Sequence, residues 1–399
     1  MNSTESKLFS PFQIGNLIID NRFIRSATYE CAANDDGSVS EDYAKIYRRL
    51  AKGKIGMIIT GMISISEEGK SYKRQSSLHS DEMIPGFSRL LNQVHEIGGK
   101  VFAQIAHGGR QSEVQGTFPK APSFGIPDMV YRVIPRQMSV KDIKRIIKDF
   151  GNSALRAKKA GFDGVQIHGA HGYLISQFLS PFFNHRNDEW GKDAKGRFQF
   201  LKKVFYEIRE KVGEDYPVII KINIEDHTPF KGISTEEVFE NLESLVEMGI
   251  DGVETSRGTL AFSMFDMCRG GVPSKEMSKI MPKPAQAMTN IALKLNYPEK
   301  KFAFTEAYNR LPGKKLKEVL NDCPLILVGG MRGFPLMDQI VKNGEADFIS
   351  LCRPLIREPL ILKKWSQGNT NDPTCVNCNK CLAGLAHHMV LQCREKKKF

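Results

Sequence analysis

No stretch of this 399-residue chain is apolar for long enough to cross a membrane. A span needs roughly 18 consecutive apolar residues. The longest charge-free stretch, Gly164 to His185, is studded with His, Gln, Ser and Asn, and the more apolar Ile55 to Ser66 is too short. Met1 to Lys7 carries no apolar segment of the signal-peptide kind. A soluble, cytoplasmic protein with no membrane partner is expected. Also missing is a basic stripe interleaved with aromatics, which a nucleic-acid groove needs. Lys and Arg number 57 against 45 Asp and Glu, giving +12, but they are scattered, with one short run at Lys396, Lys397 and Lys398. That excess reads as a solvated surface, and no nucleic-acid partner is expected. There is no internal repeat and no low-complexity linker.

Cysteine is sparse outside the tail, where Cys31, Cys268, Cys323 and Cys352 stand alone. The remaining four of the eight crowd together as Cys375-x-x-Cys378-x-x-Cys381, followed by Cys393. In an intracellular chain such clustering points to metal or cluster ligation before disulfides. Four thiolates suit an iron–sulfur cluster or a zinc; an unligated tail is the third alternative. Asn369 to Pro373 looks like a boundary, dividing a domain 1–368 from a cysteine-rich tail 369–399.

The rest of the chain alternates short apolar runs with amphipathic helices. The runs are Phe23–Thr28, Met57–Gly61, Val101–Ile105, Gly164–His168, Val218–Ile222, Gly252–Thr255, Leu325–Val328 and Phe348–Leu351. Helices are predicted over Glu41–Leu50, Asp81–Ile97, Ser139–Gly161, Gly196–Val212 and Ser234–Gly249. Ser139 with Asp142 resembles a capping box. Such alternation implies parallel strands with right-handed crossovers, and eight units close a (β/α)8 TIM barrel. An open doubly wound sheet would want a glycine-rich turn after its first strand; Tyr29-Glu30-Cys31 stands there instead. Leu8 to Arg22 reads as a hairpin capping the lower end. Gly258 to Leu311 is too long for one loop and is expected to hold a helix near Pro284 to Leu295.

Barrel chemistry sits at the carboxyl ends of strands. Here those ends carry Ser26, Ala27 and Thr28; Gly61; Gln104; His168 and His171; Lys221; Glu254; Gly329 and Gly330; and Cys352 and Arg353. No carboxylate cluster of the two-metal or glycosidase kind is among them. The set suits a planar anionic ligand bearing a phosphate, with Gly329-Gly330 permitting close backbone approach and Arg353 gripping the phosphate. His168 and His171 could bind a metal, but no third ligand stands nearby.

Several stretches together resemble the Old Yellow Enzyme family of flavin oxidoreductases, in its bacterial enoate and dienoyl-CoA reductase branch. They are Leu8 to Arg22, Ile59 to Ile65, Gln104 to Arg110, Ile167 to Arg186, Ile220 to Ile222, Val328 to Met331 and Ser350 to Leu355. His168 to Pro181 followed by Asn184-His185-Arg186 is the most specific. The resemblance implies noncovalent FMN and NADH or NADPH as hydride donor. It implies that Ser26, Ala27 and Thr28 contact the isoalloxazine, that Gly61 gives it room and that Gln104 bonds its pyrimidine edge. Lys221 would stabilise the reduced flavin by its charge, and Gly330 and Arg353 would hold the phosphate, with Gly329 and Cys352 beside them. His168 and His171 would grip a carbonyl or nitro oxygen of a small-molecule substrate, and Tyr173 would protonate its α-carbon. The implied reaction is reduction of an activated C=C bond.

Tyr29 departs from the pattern, since many relatives have cysteine there; Cys352 stands where glycine is common. Loops Gln111 to Gln137 and Asp226 to Gly232 match nothing in the family. The tail resembles the [4Fe-4S] motif of multidomain relatives, with the gap from Cys378 to Cys381 one residue shorter. Since the chain stops at Phe399, a cluster would exchange electrons with a partner protein. A dehydrogenase or demethylase, and an electron-transfer module without catalysis of its own, are the rival readings. A homo-oligomer is compatible with all of these.

Overall fold

Eight parallel strands close on themselves. The computed structural model describes residues 6–113, 118–125 and 134–395; Met1 to Glu5, the run Lys396 to Lys398 and parts of the 111–137 loop lie outside them. A hairpin, β1 (Phe12–Ile14) and β2 (Leu17–Ile19), precedes the barrel. The barrel strands are β3 (Phe23–Arg25), β4 (Met57–Ile59), β5 (Val101–Ala106), β6 (Gly164–Gly169), β7 (Val218–Asn223), β8 (Val253–Ser256), β9 (Leu325–Val328) and β10 (Phe348–Leu351). Each pairs in parallel with its neighbours, and β10 pairs with β3, Ile349 opposite Phe23, to complete the ring. The expected (β/α)8 barrel is therefore what forms. Ile63–Ser64 continues β4 along β5.

A strand buried on both faces reads as an apolar run, and every residue of β5, β6 and β7 is buried. Alternate residues part company. Ile24, Met57, Ile59, Phe102, Ile219, Ile326 and Phe348 pack with Ile14 and Ile19 of the hairpin, which plugs the lower end as expected. Their neighbours Phe23, Ile58, Val101, Ile220, Leu325 and Ile349 join the main core beneath the helices. Two residues further along the inward rows stand Ser26, Gln104, Lys221 and Ser350, all buried. The two-residue period thus sets a polar layer on an apolar one.

Helix starts follow their caps. Ser139 and Asp142 form the reciprocal capping box over Val140–Ala160, which stops at left-handed Gly161 (φ 97°). The predicted Asp81–Ile97 helix is instead a short 3-10 turn, Asp81–Met83, leading into Ile84–His95, whose first turn contains Pro85. β3 stops at Arg25, its last register pair with β10; the Ser26 N–H still donates to the Leu351 carbonyl (2.9 Å), and Ala27 and Thr28 follow beyond the register. The long insertion holds Leu260–Met267, Ser274–Ser278 and Lys283–Asn296. Among the described residues no helix is long and apolar enough to cross a membrane.

Candidate active site

The polar layer is one connected network centred on Glu254. Gln104 Nε2 donates to Gln166 Oε1 (2.7 Å), and Gln166 Nε2 to Glu254 Oε2 (2.9 Å). Ser26 and Ser350 hydroxyls each donate to Glu254 Oε1 (2.8 Å), and Lys221 Nζ lies 3.4 Å from it. Lys221 also donates to Ser26 Oγ (2.9 Å). Register explains the meeting: Lys221 sits opposite Glu254 on one side and His168 on the other.

Above this layer β6 turns sharply. His171 (φ 63°) and Gly172 (φ 77°) are both left-handed, and a Cβ on Gly172 would lie 2.8 Å from Gln111 Nε2. The turn brings His171 to 5.2 Å from His168, ring centre to ring centre, and Tyr173 to 4.9 Å on another side. His171 Nε2 is 2.6 Å from Ser256 Oγ, while His168 Nδ1 is buried with no hydrogen-bond partner. An orphaned buried donor or acceptor is costly unless a ligand completes it. Burial, then Lys221, pushes His168 down to about 3. Burial, then His168 and Lys221, holds His171 well below its usual value. Both rings are neutral, so each offers an N–H without a charge.

These groups line one cavity of about 440 Å³, within the roughly 300–1,000 Å³ typical of small-molecule sites. Ala27, Thr28, Gln104, Lys221, His168, His171 and Tyr173 all face it. So do Tyr29 and Tyr72, whose rings stack at 4.6 Å. Met264, Met267, Met277 and Ile280 of the insertion close one wall, with Leu382, Leu385 and Ala386 from the tail helix Lys380–Ala386. Soft apolar walls with a few polar groups converging at one end can hold a planar ring system and activate a carbonyl on it.

The other expected residues lie outside that lining. Ser26 sits behind Lys221. Gly61 packs against its own chain: its N–H donates to Glu30 Oε1 (2.8 Å), and a Cβ there would meet Thr28 O at 2.6 Å. Gly329 and Gly330 (φ 124° and 71°) lie against Tyr308, where a Cβ on either would come within 3.0 Å of the ring. Cys352 Sγ is 3.1 Å from Thr28 Oγ1. Arg353 reaches toward the tail, donating to Asn379 Oδ1 (2.8 Å) and the Arg269 carbonyl (2.9 Å).

Cys375, Cys378, Cys381 and Cys393 line a second, small cavity of about 20 Å³, together with Arg353 and Arg357. All eight cysteines are free thiols. Among the described residues no group of three or more His, Cys, Asp or Glu side chains is arranged to hold a metal ion. The pattern thus brings four thiols to one place without closing them into a finished site.

Sequence reasoning passed over Gln166, Ser256 and Tyr72. Gln166 carries the strand period as its only signal; Ser256 and Tyr72 carry none, because their partners lie 85 and 101 residues away.

Residues 7–266 match the profile of the NADH:flavin oxidoreductase / NADH oxidase family. An NADH oxidase of Thermoanaerobacter brockii is 32% identical over 393 residues, 97% of this chain but 55% of that protein. This chain therefore spans little more than half of that relative's length. An NADPH dehydrogenase of Geobacillus sp. (strain WCH70) is 32% identical over 357 residues, 89% of this chain and 92% of its own. Among solved structures, an old yellow enzyme homologue from Zymomonas mobilis superposes with a TM-score of 0.71 at 24% identity, over 93% of this chain and 95% of that one.

Proposed function

Because the chain belongs to the NADH:flavin oxidoreductase / NADH oxidase family, we propose that it is an FMN-dependent NAD(P)H oxidoreductase acting on a C=C bond conjugated to a carbonyl or nitro group. One observation carries this: two neutral histidines and a tyrosine converge above a buried lysine in a single cavity. The orphaned Nδ1 of His168, with Gln104 and Lys221 facing the same cavity, fits a ring system with a polar edge.

Ala27, Thr28, Gln104 and Lys221 would hold the isoalloxazine, with Ser26 and Gly61 behind them, and Gly329, Gly330, Cys352 and Arg353 would take the phosphate. FMN bound there would supply the two-electron chemistry that links NAD(P)H to the substrate. Lys221 supports negative charge at the pyrimidine edge. His168 and His171 donate N–H groups to the substrate oxygen, drawing electron density from the double bond. Tyr173 gives its hydroxyl proton to the α-carbon as general acid. A cytoplasmic setting belongs with this proposal, since eight free thiols persist in a reducing compartment. Anaerobic assay with 2-cyclohexenone tests it: cyclohexanone should form with NAD(P)H consumption. FMN-loaded protein that makes no product from any activated alkene refutes it.

We also propose that residues 369–399 extend the barrel domain 1–368 as a [4Fe-4S] site, with Cys375, Cys378, Cys381 and Cys393 as ligands. Four thiols on one cavity beside two arginines suit an anionic cluster. A cluster there would supply one-electron exchange with a partner protein. The tail helix that carries Cys381 also carries Leu382 and Leu385, which line the larger cavity. Iron analysis separates the alternatives: about four irons per chain supports the cluster, and one zinc contradicts it.

A further inference from the structure

Tyr173 is buried, at 5% exposed, and a proton that leaves its hydroxyl must be returned by a neighbouring group at every turnover. Its ring packs with Met62, Ala106 and Tyr72. Its hydroxyl lies 2.7 Å from that of Tyr72, and either oxygen can be the donor. Tyr72 belongs to a different part of the fold, the turn after Ile63–Ser64, and is only partly buried. It faces the same cavity.

Tyr72 is firmly held. Gln75, itself buried, accepts from the backbone N–H groups of Ser71 (2.8 Å) and Tyr72 (3.2 Å), and donates to the Met62 carbonyl (3.1 Å). On its open face the ring stacks on Tyr29 at 4.6 Å and 21°. The Tyr29 hydroxyl donates to the Lys73 carbonyl, bracing the stack from the next residue along.

We propose that Tyr72 relays solvent protons to Tyr173, so that a two-tyrosine chain feeds the acid step; this rests on the function proposed above. The hydride for the β-carbon would come from NAD(P)H by way of the bound flavin's two-electron chemistry, with NAD(P)+ as the oxidised product. The Tyr173 O–H bond breaks as the α-carbon C–H bond forms. The Tyr173 oxygen then takes the Tyr72 hydroxyl proton, and the Tyr72 oxygen takes one from water. One hydride and one solvent proton are added overall. Two hydroxyls sharing a short hydrogen bond, in which either oxygen can be the donor, give the proton a path from one to the other, which suits a relay. Tyr72 acts through Tyr173 and is a positioning and relay residue.

The test separates the half-reactions of FMN-loaded protein. In Tyr72→Phe the ring, its stack and the Gln75 bonds remain. Flavin reduction by NAD(P)H, and reoxidation by ferricyanide, which needs no α-carbon proton, should match wild type and show that the site is intact. Reoxidation by 2-cyclohexenone should slow about tenfold, a share of the 10²–10⁴ ordinarily supplied by a general acid, with little change in the enone's apparent Kd. The solvent isotope effect on that step should rise. Enone reoxidation at the wild-type rate with an unchanged isotope effect overturns the relay alone. A Tyr72→Phe protein that is dead while Tyr173→Phe stays active reverses the two roles and also overturns it. Wild-type protein whose reduced flavin is not reoxidised by any activated alkene removes the functional proposal and the relay with it.

Discussion

Glu254 Oε1 lies 3.4 Å from Lys221 Nζ in the middle of the barrel, and neither side chain reaches solvent. The lysine expected to support a reduced flavin thus has its charge partly offset from below. Removing one partner of a buried ion pair leaves the other uncompensated, at about 3–5 kcal/mol. Glu254→Gln should therefore lower stability to urea by about that much. It should also raise the potential of bound flavin, because Lys221 then acts unopposed. Urea titration and equilibration with a redox dye check both. A lowered potential would mean that Lys221 does not act on the flavin.

His168→Ala combined with His171→Ala should leave FMN bound and cut enone reduction by at least about 10², the scale of a lost oxyanion donor. Because both imidazoles are held neutral, neither should give an inflection in the rate near pH 6.5. Their linkage to stability has a definite sign. The unfolded chain takes up protons below about 6.5, whereas native His168 refuses them down to about 3, so these residues destabilise the fold as pH falls through that interval. In the double variant this acid-side loss should shrink.

His227 shows the opposite sign. Its Nδ1 meets Asp266 (2.9 Å) and its Nε2 meets Glu225 (2.7 Å). Asp266 first, then Glu225, raises it to about 9. The stabilisation is complete below about 6.5 and fades as pH rises through about 9. His227→Gln should thus lower Tm at mildly acidic pH, with the difference from wild type vanishing at alkaline pH. A constant gap would contradict the clamp.

Cys378→Ser should remove iron and all visible absorbance not due to flavin, while FMN binding and the far-UV spectrum stay unchanged. Retention of the extra absorbance would exclude Cys378 as a ligand.

The strands were legible because burial on both faces writes them as apolar runs; Leu325–Val328 and Phe348–Leu351 have the bounds their composition predicts. The His168–His171–Tyr173 cluster was legible because one strand end and the turn that follows it carry all three. The strand-end position of Glu254 was visible, but its place at the hub was not, since register decides that Lys221, Gln166, Ser26 and Ser350 meet there. The destination of Arg353 was also hidden. Its partner Asn379 belongs to the tail, and only tertiary packing brings the two to 2.8 Å.

The most direct test of the account is an anaerobic cycle on FMN-loaded protein: NAD(P)H is added until the flavin absorbance bleaches, and excess NAD(P)H is removed. 2-Cyclohexenone is then added. Return of the oxidised flavin spectrum with stoichiometric cyclohexanone is the predicted result. A protein that binds no FMN, or whose bleached flavin stays bleached with every activated alkene, would contradict it.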